Sequence, residues 1–196
     1  MSRAVIAAIE FHLPERRLTN PQLAEEFPDW GTEKIAEKTG IHARHIAAPG
    51  ELSSDLANAA ALKLFSSGSV RPEEIDFVLL CTQTPDFALP TTACLLQHRL
   101  GIPRSAGALD FNLGCSGYVY GLSLAKGLIE TGQARRVLLL TAETYSKLID
   151  PADRTVRTIF GDAGAASLVM ANDEVDQECL GPFAFGTDGA GGRNLV

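Results

Sequence analysis

The chain has 196 residues, 45% of them hydrophobic, enough to bury a substantial core in one large domain or in part of a two-domain protein. Its 24 acidic and 17 basic residues leave a formal charge of −7, and with no basic run longer than Arg135-Arg136 this argues against nucleic acid as the main partner. The opening MSRAVIAAIEFHLPERR carries only a short apolar run, and no later stretch approaches the roughly 18 apolar residues of a membrane span, so a cytoplasmic protein with no membrane span is expected.

Taken in order, apolar runs rich in β-branched residues alternate with helical patterns, the signature of an α/β layer structure. Strands are expected at 4–10, 75–82, 106–111, 136–142 and 165–170, with a weaker one at 181–186. Asn20-Pro21 reads as a cap followed by a first-turn proline, opening a short helix over PQLAEEF. Further helices are expected at about 32–39, 55–65, 92–100 closed by Gly101, and 116–131 closed by Gly132. The order is βαααβαβαβ and then two more strands. The final FGTDGAGGRNLV reads as a loop.

The helix SGYVYGLSLAKGLI holds a single charge, Lys126, in fourteen positions. A helix apolar all round is buried on every side, and one sheet covers only one of its faces. A second layer is therefore expected, built by residues outside this sequence or by a second copy of the chain. Alone, the chain is expected to aggregate or bind hydrophobic dyes.

Cys81, Cys94, Cys115 and Cys179 lie 13, 21 and 64 residues apart, without a C-x-x-C pair, and are expected to be free thiols. Cys115, in DFNLGCSGYVYG, falls between a strand and a helix. A thiol at a helix's first turn feels unpaired N–H groups and the positive end of the macrodipole, which favour the nucleophilic thiolate, and Gly114 and Gly117 leave room for a substrate. A buried structural cysteine is the commoner fate of a free thiol, so position alone leaves both readings open. Cys81 at a strand end and Cys94 inside a helix fit the structural role.

Other motifs fail. G-x-S-x-G needs glycines that neither Cys115 nor Ser116 has at the right offsets. GAGGRN from Gly189 places Asn194 where a dinucleotide fingerprint needs glycine, and no P-loop occurs. His12, His42, His45 and His98 are not at metal-ligand spacings with the cysteines, and no metal is expected.

The block ALDFNLGCSGYVYGLSLAKGLIETGQARRVLLLTAETYSKLIDPADRTVRTIFGDAGAASLVM closely resembles the active-site region of β-ketoacyl-acyl-carrier-protein synthase III, of the thiolase superfamily. EKTGIHARHIA matches that family's T-G-I-x-x-R-x-I block, and ALPTTACLLQHRLGI its segment before the nucleophile strand. The resemblance implies the N-terminal half (βαβαβαββ type) of a five-layered αβαβα thiolase-like fold over 1–186, with 187–196 starting the connection to a second half. It implies a cysteine that takes an acyl group from a coenzyme A thioester and a decarboxylative Claisen condensation with malonyl-acyl carrier protein in fatty acid synthesis, by a homodimer using no metal or redox cofactor.

Carried over by position, Cys115 matches the nucleophile, and its backbone N–H would form half of the oxyanion hole. Phe160 matches an aromatic that walls off water near the cysteine. Arg154 matches an arginine at the adenine end of coenzyme A, and Lys38 a basic position for the same ligand. Leu89 matches a residue that reaches across the dimer to close the partner's acyl pocket, often as a larger Phe. Two departures stand out. The family's tryptophan shortly before the T-G is replaced near Lys34, the only tryptophan being Trp30; and the catalytic His and Asn of the family's second half have no counterpart among these residues. An acyltransferase or a hydroxymethylglutaryl-CoA synthase-like enzyme on the same fold, or a non-catalytic truncated half, are the alternatives.

Overall fold

The computed structural model describes residues 2–174 and 176–194. Seven strands and six helices run in the order β1 (Arg3–His12), β2 (Arg17–Thr19), α1 (Asn20–Glu26), α2 (Thr32–Thr39), β3 (Ala43–His45), α3 (Ser53–Ser66), β4 (Phe77–Cys81), α4 (Thr92–Arg99), β5 (Gly107–Phe111), α5 (Gly117–Glu130), β6 (Arg136–Glu143), α6 (Arg154–Arg157) and β7 (Ala163–Asn172).

The main sheet has the order β1-β7-β6-β4-β5. Its half nearest the candidate nucleophile is parallel, β4 lying between β5 and β6, whereas β7 runs antiparallel to both β6 and β1. Strand alternation splits the core into two layers. Val78, Leu80, Leu138, Leu140 and Leu168 point to one face, under Leu56, Ala60 and Leu64 of α3 and Leu96 of α4. Leu79, Val137, Leu139 and Val169 point to the other, under Ala125 and Ile129 of α5. The parallel β4 and β6 carry continuous apolar runs because both faces are covered. A small second sheet, β2 against β3, carries a satellite cluster of Leu18, Leu23 and Ile35 with Trp30 packed on it.

Two expectations are corrected. The cap of α1 is Thr19, whose N–H donates to Gln22 Oε1 at 2.9 Å; the Asn20 side chain instead turns inward and donates to the Ile41 carbonyl at 2.8 Å. The stretch 181–186 is not a strand: Gly181 has φ 114° and Pro182 has no N–H for a ladder. In α5, as expected, the sheet covers one face only. Gly117, Gly121, Ala125 and Ile129 form its one buried stripe, while Val119 and Leu124 are exposed. Part of the opposite face is instead overlaid by the segment after β7: Lys126 donates to the Leu180 carbonyl at 2.9 Å and pairs with Glu178, and Phe185 lies against Tyr120 with ring centres 4.7 Å apart. Of the final loop expected from the sequence, 189–194 form 3-10 turns and the last two residues lie outside the described residues. No helix among the described residues is long and apolar enough to cross a membrane.

Candidate active site

Cys115 lies in the turn that joins β5 to α5, two residues before the helix begins, where the Gly117 N–H donates to the Gly114 carbonyl at 2.8 Å. Its thiol is exposed, at a cavity of about 330 Å³ whose walls include Gln83, Tyr118, Glu143, Tyr145 and Phe160. Parallel strands β4, β5 and β6 all end at this cavity, the usual place for chemistry in a parallel sheet.

The second thiol in the cavity, Cys81, is of a different kind. It is 4% exposed and donates to the Leu113 carbonyl at 3.2 Å. Burial pushes it above the ordinary thiol range, with the nearby Glu143 acting in the same direction. A thiol held neutral is a poor nucleophile, so Cys81 packs and Cys115 is the one with both access and an approach path. Cys94 and Cys179 are exposed elsewhere.

Glu143, at the end of β6, was not singled out by its residue type or spacing. Its Oε1 accepts from the Gln83 N–H at 2.7 Å and its Oε2 from the Thr84 hydroxyl at 2.8 Å. Burial pushes its carboxyl above the usual range despite these donors. It ties the start of the loop after β4 to the cavity wall.

Phe160 shares the cavity with Cys115 and meets the Tyr145 ring at 5.0 Å and 41°. Its residue also lines a second cavity of about 170 Å³, with Arg16, Ile46, Ser146 and Arg157. Phe160 therefore stands between two hollows.

Lys38 and Arg154 do not line the Cys115 cavity; they meet each other around one aromatic ring. The Nζ atoms of Lys34 and Lys38 both lie 5.6 Å from the centre of Trp30, and the Arg154 guanidinium 5.7 Å from it. Arg154 is also 3.6 Å from Asp29. The indole, displaced in sequence to Trp30, thus arrives beside Arg154 from the turn before α2. Leu89 sits in the loop between β4 and α4, 85% exposed and away from this chain's own cavity.

Comparison with known proteins bears on the chain as a whole. The family model for 3-oxoacyl-[acyl-carrier-protein] synthase III matches residues 109–189, from within β5 through the Cys115 turn and on past the end of β7. The chain is 42% identical over 184 residues to the β-ketoacyl-[acyl-carrier-protein] synthase III of Caldanaerobacter subterraneus subsp. tengcongensis, covering 94% of this chain and 54% of that protein. It is 40% identical over 195 residues to synthase III 2 of Halalkalibacterium halodurans, covering 100% of this chain and 58% of that one. A crystal structure of a 3-oxoacyl-(acyl-carrier-protein) synthase III superposes with a TM-score of 0.96 at 62% identity, over 98% of this chain and 57% of that chain. The priming β-ketosynthase of the R1128 polyketide pathway superposes at 0.88 and 31% identity, over 96% and 55% respectively. The chain spans about half the length of the relatives it matches, and over nearly all of its own length it is similar to β-ketoacyl-acyl-carrier-protein synthase III proteins, with the thiolase-like α/β fold of their solved structures.

Proposed function

We propose that Cys115 is the acyl-accepting nucleophile of a β-ketoacyl-acyl-carrier-protein synthase III reaction in fatty acid or related lipid synthesis. The observation that carries this reading is the pairing of an exposed Cys115 with a buried, neutral Cys81 at one cavity where three parallel strands end. In the first step the Cys115 sulfur attacks the thioester carbon of an acyl-coenzyme A. The tetrahedral oxyanion would be met by the Cys115 backbone N–H, and coenzyme A leaves as its thiol, giving acyl-S-Cys115. In the second, malonyl-acyl carrier protein loses CO2, its α-carbon attacks the acyl carbonyl, and the cysteine sulfur leaves to be reprotonated. Both steps are nucleophilic displacements between thioesters and call for no redox group or metal.

Phe160 would keep water from the acyl-enzyme. Lys38 and Arg154, with Trp30 between them, would take the nucleotide end of coenzyme A, the ring by stacking and the cations by phosphate pairing. Leu89, 85% exposed in one chain, would be covered in a homodimer, closing the partner's acyl pocket.

Intact-protein mass after incubation with a panel of acyl-coenzyme A thioesters tests this. One acyl mass on the natural chain, absent in Cys115→Ala, is expected, and the preferred acyl group names the primer. No adduct on folded protein across the panel would overturn the proposal.

A further inference from the structure

The wall carrying Phe160 is held by two buried ionisable residues that have no part in the chemistry above. Arg44, of the T-G-I-x-x-R-x-I block, is 3% exposed. Its partners are neutral oxygens. Nε donates to the Thr158 carbonyl at 2.9 Å and Nη2 to the same oxygen, while Nη1 donates to Asn20 Oδ1 at 2.5 Å. The inward turn of Asn20 thereby gains a purpose. A buried guanidinium is costly unless hydrogen-bonded, and Thr158, 1% exposed, would have a stranded carbonyl without it.

Two residues past Phe160, Asp162 is 2% exposed and anchors the other end. Its Oδ2 accepts from the Ala47 N–H at 2.7 Å and the Ser146 hydroxyl at 2.5 Å, its Oδ1 from the Ser146 N–H at 2.9 Å, and its own N–H donates to the His45 carbonyl at 2.8 Å. Between them Gly161 lies flat on β3: a Cβ there would come 3.0 Å from the His45 carbonyl oxygen and 3.1 Å from the Arg44 Cβ. Residues 158–162 are pinned to β3 at both ends, and Ser146 ties in the neighbouring Tyr145, the ring against which Phe160 packs.

We infer that Arg44 and Asp162 are positioning residues that set Phe160 as the partition beside Cys115, controlling access to its sulfur; this rests on the reading of Cys115 as acyl acceptor. Neither touches the cavity. They act by allowing residues 158–162 one placement.

The four free cysteines supply the test. Iodoacetamide labelling of the full chain, followed residue by residue by peptide mass, reads Cys115 as the reporter, the exposed Cys94 and Cys179 as references, and the buried Cys81 as a monitor of the fold. Arg44→Met and Asp162→Asn are expected to change the Cys115 rate at least about threefold, toward faster labelling, with Cys94 and Cys179 unchanged and Cys81 protected. Arg44→Lys, which keeps the charge and one donor, should recover part of the change. Because the effect passes through the ring, Arg44→Met added to Phe160→Ala should label no faster than Phe160→Ala alone. Multiplying effects in that pair, an unchanged Cys115 rate in both single variants, or faster labelling only where Cys81 is also exposed would overturn the inference. An acyl mass that survives Cys115→Ala would sink the nucleophile assignment while the labelling pattern still decides the role of Arg44 and Asp162.

Discussion

Cys81 fills the space that a side chain at residue 117 would need: a Cβ on Gly117 would lie 2.2 Å from the Cys81 sulfur and 3.1 Å from the Leu113 Cβ. The glycine after the Cys115 turn is there for close approach between α5 and the end of β4, and Cys81 is the partner that makes it obligatory.

Gly117→Ala is therefore expected to destabilise the fold by about 1–3 kcal/mol through overpacking and to displace Cys115 two residues away. Cys81→Ala in the same chain removes the sulfur and should recover most of the loss, a non-additivity typical of residues in contact. Urea unfolding of the two single variants and the double variant measures it; additive losses would show that the clash lies elsewhere.

Glu143 yields a pH prediction with a definite sign. Burial places its folded-state pKa above the ordinary carboxyl value of 4.5, so between that value and the raised one the folded state binds more protons than the unfolded state. Stability from this group is thus greatest at acid pH and falls as pH rises through the window. Glu143→Gln removes the titration, so stability of the variant relative to the natural chain should rise from pH 4.5 toward neutrality. The other carboxylates cancel in that difference, which denaturant titrations at a series of pH values would read. A flat difference would mean that the carboxyl is not held protonated by its surroundings.

Trp30 makes a prediction about binding rather than the chemical step. With Lys34, Lys38 and Arg154 around it, Trp30→Ala removes a stacking surface worth about 1–3 kcal/mol, so under the proposed function the KM for acyl-coenzyme A should rise roughly 5- to 150-fold with kcat held near the natural value. Acyl-pantetheine, which lacks the nucleotide, should lose nothing. An equal loss with both donors would place Trp30 outside the nucleotide site.

The main sheet and its helices were legible because their periodicity is strong: α2 falls on 32–39 as read, and β4, β5, β6 and β7 differ from the reading only at their ends. The β2-β3 pair and α6 were not, since three- and four-residue elements carry no period; α6 rests on Asp153, whose carboxylate caps it by accepting from the Thr155 N–H at 2.9 Å. At the site, the Cys115 turn was legible as a strand-to-helix turn, while position alone left the role of its thiol open and the family resemblance supplied the nucleophile reading. The Trp30 cluster was half visible, Trp30, Lys34 and Lys38 standing at intervals of four, but Arg154 joins it from more than a hundred residues along the chain. The roles of Glu143, Arg44 and Asp162 depend on hydrogen bonds between distant loops, which no single-sequence pattern encodes.

The two faces of α5 make the last contrast. Leu139 is 1% exposed beneath the buried stripe of the helix, whereas Leu124, on its outer side, is 43% exposed beside the similarly open Val119. Leu139→Ala should cost about 2–5 kcal/mol, by lost transfer energy and the cavity left behind. Leu124→Lys should change stability by less than about 0.5 kcal/mol. Binding of a hydrophobic dye to the folded chain should do the reverse, dropping in Leu124→Lys because a charge replaces an exposed apolar side chain. A cooperative unfolding curve for each variant, with dye fluorescence on the same samples, separates the two effects. A Leu124→Lys variant as unstable as Leu139→Ala would show that the outer face of α5 is packed in solution.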